Sequence, residues 1–361
     1  MSSALTFREL KATAVRLPMS NPIRTASGLI ADAPFVLIDL HTEQGVTGHA
    51  YLFVFTPIVL KPLATLIASF GELLEGKRLA PLDTRDLLES QFHLVGNTGL
   101  VSMAVAGVEM ALWDAHARAL GVPLVRALGG APQPVPAYSS IGMLGVDASC
   151  RLAEQSLARG LRAMKIKIGY VTLEQDLEVV RAVKSVLGEQ SMLCVDYNQG
   201  LTLDEAIRRC RALDELGLGW IEEPTRQNDY AGHARIARET LTPIQMGENC
   251  FGTSELAQCI AAGASDLLMF DLMKIGGVSR WLHGAALAEA ASLSVSTHNY
   301  QEFSAHLMAV TPTAHWLQYY DYADAVLAEP MRIVDGNALP SETPGSGVEW
   351  NPAALARYRI A

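Results

Sequence analysis

The sequence predicts an α/β chain in which an α+β domain precedes a (β/α) barrel. Two observations carry that expectation. From Val135 onward, short apolar runs alternate with amphipathic segments and recur roughly every 20–30 residues, as a barrel of ordinary length requires. Five successive runs, from AMKIKI to LLMFD, also carry charges within or at the end of the run. A barrel brings all those ends to one face. A doubly wound open sheet explains the alternation equally well, but it would spread the charges along an edge.

Residues 1–130 read differently. FVLIDLHTEQGVTGHAYL alternates apolar and polar residues around a Gln-Gly turn, as an antiparallel hairpin does. PIVLKPLATLIASFGELL and LVSMAVAGVEMALWDAHARAL follow with helical patterns, the second stopped by Gly121 as C-cap. Strands followed by segregated helices indicate an α+β domain. The barrel strands are then VPAYSS, AMKIKI, MLCVDY, GWIEE, PIQMGE, LLMFD, SVSTH and HWLQYY. Their continuous apolar character fits a parallel sheet covered on both faces. TLEQDLEVVRAVKSVLG and TLDEAIRRCRALDELG are two of the intervening helices. Residues 327–361 are rich in Pro and Gly and read as an extended tail over another surface.

Composition sets the bounds. At 361 residues the chain holds two domains, or one large barrel with an addition, and half its residues are apolar. A net charge of −10 argues against a nucleic-acid partner, which needs Lys and Arg clustered on one face. Cys150, Cys194, Cys210, Cys250 and Cys259 form no C-x-x-C pair and read as reduced thiols of a cytoplasmic protein. MSSALTFREL lacks a signal-peptide core. With no uninterrupted apolar run of 18 residues, no membrane span is expected.

Asp196, Glu222 and Glu248 stand 26 residues apart, each closing an apolar run. A lone strand-end Asp is ordinarily a helix N-cap or a solvated loop residue. Three in register repel one another unless a cation joins them, and three hard oxygens suit Mg²⁺, with Mn²⁺ as a substitute. Lys165 and Lys167 share one face of their strand. Alone they read as lysines snorkelling to the surface. Beside the trio they become a clamp and a base, each cation lowering the other's pKa. Asp271 and His298 end two further strands, where the carboxylate would fix the tautomer of the imidazole and raise its basicity. Gly276 and Gly277 form an anion-binding turn or a purely structural one. H-E-x-x-H, P-loop and G-x-S-x-G motifs are absent.

Together these groups suit a small carboxylic acid with a weakly acidic α-hydrogen. Mg²⁺ and Lys165 would hold its carboxylate, while bases at Lys167 and His298 would take and return the α-proton on opposite faces. The same set serves racemisation, or dehydration if a β-leaving group is present.

Through MKIKIGY, VDYNQ, WIEEPT, PIQMGEN, DLMKIGGV, STH, QEFSAHL and TPTAHWL, and nearly the whole chain around them, the sequence resembles the enolase superfamily and, within it, the mandelate racemase group. The resemblance implies a modified (β/α)7β TIM-type barrel over residues 131–326. An α+β capping domain (1–130) covers it, and a segment (327–361) returns to the cap. It implies metal ligation by Asp196, Glu222 and Glu248, bases at Lys167 and His298, and Asp271 behind His298. Lys165 and Ser140 match positions that contact the substrate carboxylate, and Asn198 one that contacts the α-hydroxyl. It also implies a homo-oligomer. Related muconate-lactonizing enzymes and dipeptide epimerases carry Lys where this chain has Asp271 and lack the His298 partner. The main departure is Gln318, where the group has a Glu that donates to the substrate carboxylate. Arg24, Phe55, Asn299 and Tyr320 also differ at rim positions, Arg24 being placed to meet a polar or anionic substrate group. The expected reaction is racemisation or epimerisation of a 2-hydroxy acid. The alternatives are a sugar-acid dehydratase and a hydroxy-acid-binding barrel without catalysis.

Overall fold

A computed structural model of the chain describes residues 4–360. Its first part contains β1 (Leu5–Thr25), β2 (Gly28–Thr42), β3 (Thr47–Phe53), α1 (Leu60–Leu74), β4 (Arg78–Leu79), α2 (Pro81–Ser90), α3 (Gly99–Leu120) and α4 (Leu124–Ala127). The strands pair antiparallel in the order β3-β2-β1-β4. The predicted hairpin is β2–β3, and Gly45 takes φ +77° in its turn. Gly121 closes α3 in the left-handed conformation, as expected. The alternation reading misses β1, because Pro18 and Pro22 interrupt it. The strand absorbs them as a register shift between Pro18 and Ile23.

Helix α3 lies close against β3. A Cβ at Gly48 would sit 1.9 Å from the Ala111 carbonyl oxygen, so only glycine permits this approach. Residues Pro57–Leu74 are long and apolar enough, by length and composition, to cross a membrane. The search for an uninterrupted apolar run overlooks them, because Lys61 and Glu72 break the run. Here Leu60, Leu63, Ile67, Phe70 and Leu74 bury one face of α1 against the sheet and α3, while Lys61 and Glu72 stay exposed.

The second part runs β5 (Val135–Ile141), α5 (Gly145–Ala158), β6 (Ala163–Lys167), α6 (Leu173–Leu187), β7 (Met192–Asp196), α7 (Leu203–Leu213), β8 (Ile221–Glu222), α8 (Tyr230–Glu239), β9 (Ile244–Met246), α9 (Gly252–Ala261), β10 (Leu267–Asp271), α10 (Leu272–Ile275), α11 (Gly277–Ala290), β11 (Ser294–His298), α12 (Gln301–Met308) and β12 (Leu317–Tyr319). Every predicted barrel strand forms. Strands β5 to β11 pair in parallel in sequence order, and β12 pairs with β5. Val295 N–H donates to the Thr313 carbonyl at 2.8 Å and Thr297 N–H to Trp316 at 3.0 Å, which closes the ring between β11 and the approach to β12. The sheet is therefore a closed (β/α)7β barrel, and the open-sheet alternative falls. Tyr138, Cys194, Trp220 and Met269 pack together as an apolar cluster. Thr172 and Gln175 start α6 with a reciprocal capping box.

The remaining residues form β13 (Arg332–Val334), β14 (Asn337–Leu339) and α13 (Pro352–Tyr358). β14 adds antiparallel to β5, and Ile360 N–H reaches the Ala14 carbonyl on β1 at 2.9 Å. The Gly276–Gly277 turn does bind an anion, and that anion is the protein's own. Glu109 on α3 accepts from Val278 N–H at 2.7 Å and Ser279 N–H at 2.9 Å at the start of α11. A Cβ on Gly277 would lie 2.2 Å from the Glu109 carboxylate. The contact ties α3 to the barrel. All five cysteines are free.

Candidate active site

The barrel's register places the charged side chains. Lys167 pairs with Asp196, Asp196 with Glu222, and Asp271 with His298 across neighbouring strands. Glu248 follows just beyond β9. The Asp196, Glu222 and Glu248 side chains are buried, and one oxygen of each lies within 4.8 Å of the others. This is the carboxylate trio anticipated from the sequence. The donor set is that of a hard divalent cation. Glu248 Oε2 accepts no hydrogen bond, an acceptor left free in a buried site.

Burial, helped by Asp196 and Glu248, raises the Glu222 pKa well above the usual carboxylate range despite the pull of Lys165. Glu248 goes the other way. Burial alone would raise it, but His298, Lys165, Lys274 and Lys167 hold it well below that range. Glu222 and Glu248 thus differ in proton affinity, as crowded carboxylates do.

Lys167 Nζ donates to Asp196 Oδ2 at 2.6 Å. Lys165 is fully buried, bonded to Glu222 and 3.5 Å from Asp196 Oδ2. The lowering that one lysine exerts on the other, expected from the sequence, is present at Lys167, but it does not give the net drop expected with it. Burial pulls both downward, but the carboxylates outweigh burial and mutual repulsion. Glu222 leads for Lys165 and Asp196 for Lys167, and both pKa values stand above the ordinary lysine value.

Asp271 holds His298 as expected. Its Oδ2 lies 2.7 Å from His298 Nδ1, while its Oδ1 accepts from Lys274 N–H at 3.0 Å. The imidazole therefore presents Nε2 to the site, 3.2 Å from Glu248 Oε2. The Phe55 ring stacks parallel to His298, with planes 3° apart and centroids 6.1 Å apart, and Lys274 Nζ lies 4.5 Å from the Phe55 centroid.

Above these groups lies a cavity of about 340 Å³, a volume suited to a small acid. Lys167, Glu248, His298 and Asn198 line it from the barrel, and Ile23, Ile30, Phe53 and Phe55 supply an apolar wall. Asn198 donates its backbone N–H to Asp196 Oδ1 at 2.7 Å and leaves its side-chain Oδ1 without a partner. Phe55, Asn198, Gln199 and Asn299 all line the cavity with left-handed φ values between +42° and +64°, strain of the kind that collects at functional sites.

Four of the expected substrate contacts sit differently: Lys165, enclosed by Glu222 and Asp196, does not line this cavity, and Arg24, Gln318 and Ser140 also lie outside it. Arg24 is exposed and does not line this cavity, whereas its neighbours Ile23 and Thr25 do. On a strand, residues i and i+2 share a face, so Arg24 takes the opposite one. Its placement as a pocket residue is wrong for that reason. Gln318 is fully buried, its Oε1 accepting from Asn299 N–H at 3.1 Å. Ser140 lines a neighbouring cavity and bonds the Tyr320 hydroxyl.

Sequence reasoning missed Asn249 and Lys274. Lys274 Nζ donates to Asn249 Oδ1 at 2.5 Å, and Asn249 Nδ2 donates to Glu223 at 2.6 Å and Glu248 at 3.2 Å. The signal was present: Asn249 directly follows Glu248, and Lys274 stands one helical turn after Asp271. Glu223, next to Glu222 in the chain, is joined to the trio through Asn249.

Comparison with known proteins agrees with this geometry. Residues 7–129 match the model of the mandelate racemase / muconate lactonizing enzyme N-terminal domain, and residues 148–354 the enolase C-terminal domain-like model. A 3,6-anhydro-alpha-L-galactonate cycloisomerase of Streptomyces coelicolor is 34% identical over 96% of this chain and 97% of its own. An enolase from Bradyrhizobium, solved with magnesium and mandelic acid, is 43% identical with a TM-score of 0.96, covering 100% of both chains. An L-talarate/galactarate dehydratase from Salmonella typhimurium, solved with Mg and L-lyxarohydroxamate, is 25% identical with a TM-score of 0.93, covering 99% of this chain and 94% of its own. The chain belongs to the mandelate racemase/muconate lactonizing enzyme family of the enolase superfamily.

Proposed function

We propose that this protein abstracts the α-proton of a small 2-hydroxy carboxylic acid and returns it on the opposite face, as a racemase or epimerase. One observation carries the reading: Lys167 on β6 and His298 on β11 flank the trio from strands on different sides of the barrel mouth. In this reading Asp196, Glu222 and Glu248 hold Mg²⁺, with Mn²⁺ as a substitute. The metal supplies positive charge to the substrate carboxylate and to the enediolate formed on proton loss.

The chain's own residues do the rest. Lys167 and His298 Nε2 exchange the proton on the two faces, and Asp271 keeps Nδ1 protonated so that Nε2 is the basic atom. Asn198 Oδ1 accepts from the α-hydroxyl. Lys165, beneath the trio, adds positive charge without lining the cavity. The apolar wall of Ile23, Ile30, Phe53 and Phe55 favours an acid with an apolar substituent. The Bradyrhizobium relative's mandelic acid has this character.

A second reading is dehydration of a sugar acid, with protonated His298 helping to expel a β-hydroxyl. The sugar-acid relatives and the polar side of the cavity, at Gln199 and Asn299, favour it. Proton NMR in D₂O with Mg²⁺, across 2-hydroxy acids and sugar acids including both mandelates, separates the two. Loss of the α-proton signal with inversion and no new product supports the racemase. A 2-keto product replaces it with the dehydratase, and no exchange from any acid sinks both.

A further inference from the structure

Gln318 raises a chemical question. An amide there can donate a hydrogen bond but cannot act as an acid, and its orientation limits even that. Its Oε1 is taken by Asn299 N–H at 3.1 Å, so only the NH₂ end is free. That end donates to the Tyr320 hydroxyl oxygen at 3.4 Å, and the Tyr320 hydroxyl donates to Ser140 Oγ at 2.8 Å. Gln318 therefore does not face the cavity directly. It passes its donor to a phenol that does.

Tyr320 is 7% exposed and lines both the 340 Å³ cavity with Lys167 and His298 and the adjacent cavity of about 240 Å³ with Ser140. Its ring is fixed by stacking on Tyr322, with centroids 4.1 Å apart and planes 23° apart. A packed ring with a directed hydroxyl is a preorganised donor.

We propose that the Tyr320 hydroxyl is a catalytic hydrogen-bond donor to the substrate carboxylate, Gln318 orienting and polarising it. The proposal rests on the α-proton-abstraction reading given above. An acid whose carboxylate lies beside Lys167 meets the Tyr320 O–H, which turns from Ser140 Oγ to a carboxylate oxygen. Ser140, relieved of that bond, is left with its own hydroxyl. As the α-proton leaves, charge grows on the carboxylate oxygens, and the Tyr320 bond strengthens where charge develops. The proton stays on the phenol throughout. A neutral phenol in a dry pocket is a known donor to an enolate oxygen. The arrangement moves the donor two residues along the chain, from Gln318 on β12 to Tyr320 just beyond it, which lines the cavity.

The test uses the Mg²⁺-loaded full-length protein and α-proton exchange in D₂O, with the acid that exchanges fastest in a panel including both mandelates. Tyr320→Phe keeps the ring and its stacking and removes only the hydroxyl. We expect kcat for exchange to fall ~10²–10³-fold, as for loss of one oxyanion donor, with KM changing much less. Gln318→Leu, which removes the group donating to the Tyr320 hydroxyl oxygen and leaves that hydroxyl in place, should lower kcat by less than Tyr320→Phe does, and a wild-type kcat there would remove Gln318 from the arrangement. A Mg²⁺ titration followed by tryptophan fluorescence should be unchanged in Tyr320→Phe, which separates the effect from misfolding. Wild-type rates in Tyr320→Phe would overturn the Tyr320 role and leave the α-proton reading standing. If the wild type exchanges no acid in the panel, the α-proton reading falls and the Tyr320 role with it.

Discussion

The two sides of the cavity are built differently. On the barrel side, the trio, Lys167 and the Asp271–His298 pair stand at or just beyond strand ends, held by parallel register: Lys167 against Asp196, Asp196 against Glu222, Asp271 against His298. On the cap side, Ile23, Thr25 and Ile30 come from the end of a hairpin and Phe55 from a strained turn after β3. The barrel side carries chemistry on backbone that the whole sheet holds in place. The cap side carries shape on a hairpin end that meets the barrel through single contacts such as Met143 N–H to the Arg24 carbonyl at 2.7 Å and Ser27 Oγ to the Asn198 carbonyl at 2.6 Å. Reaction class and substrate choice are thus set by separate parts of the chain, and changes to each should fail in different ways.

The largest effect is expected on the barrel side. Asp271→Asn leaves the shape of the dyad but lets the imidazole adopt the wrong tautomer. Exchange at the His298 face should fall ~10³–10⁴-fold, by analogy with loss of the triad Asp in serine proteases. A loss confined to KM would place Asp271 outside the chemistry.

The seam between the two parts is sensitive to pH. His306 on α12 takes Val125 N–H of α4 on Nδ1 and faces the Ser346 carbonyl with Nε2. Burial lowers its pKa from 6.5 to about 4. Between those values the unfolded chain binds the extra proton, so this contribution is full above pH 6.5 and is lost as pH falls toward 4. The shift corresponds to about 3 kcal/mol. Glu302, raised to about 7 by burial, acts in the opposite sense over part of that range. The measurable quantity is therefore the difference in urea-unfolding free energy between wild type and His306→Gln at pH 7 and pH 4.5. Equal pH dependence in the two proteins would remove His306 from the seam.

Metal binding should stabilise the barrel side directly. At 100 times its Kd, Mg²⁺ adds about 2.7 kcal/mol to a protein that binds it only when folded. Thermal unfolding with EDTA and with Mg²⁺ should show this in wild type and not in Glu222→Gln. A variant that responds like wild type would place the ion elsewhere.

On the cap side the effects should be smaller and fall on binding. Phe55→Ala removes the ring between His298 and Lys274, a contact of roughly 0.5–1.5 kcal/mol, so KM should rise roughly twofold to tenfold with kcat little changed. A collapse of kcat would make Phe55 part of the proton-transfer machinery. Arg24→Ala should change either constant by no more than about twofold, as an exposed position does. A larger loss would bring Arg24 back into the cavity.

The same division decided what the sequence revealed. The eight barrel strands and the carboxylate trio were legible because a buried parallel strand must be apolar and a charge at its end has few uses. Asp271 and His298 followed from the same spacing. The strand β1 was not legible, since Pro18 and Pro22 hide its alternation. Arg24 was misplaced because a resemblance transfers a position but not the face on which its side chain lies. Asn249 and Lys274 stood next to recognised site residues and were overlooked, whereas the bonds of Tyr320 to Gln318 and Ser140 join β12 to β5, a contact that no local pattern encodes.

The central claim, two bases acting on opposite faces, is tested most directly by α-proton exchange of each separate enantiomer of the active acid in D₂O. The proteins compared are wild type, Lys167→Ala and His298→Asn, each loaded with Mg²⁺. The account predicts that wild type exchanges both enantiomers and that each variant exchanges only one, the two variants retaining opposite ones. Lys167→Ala exchanging both enantiomers would contradict it.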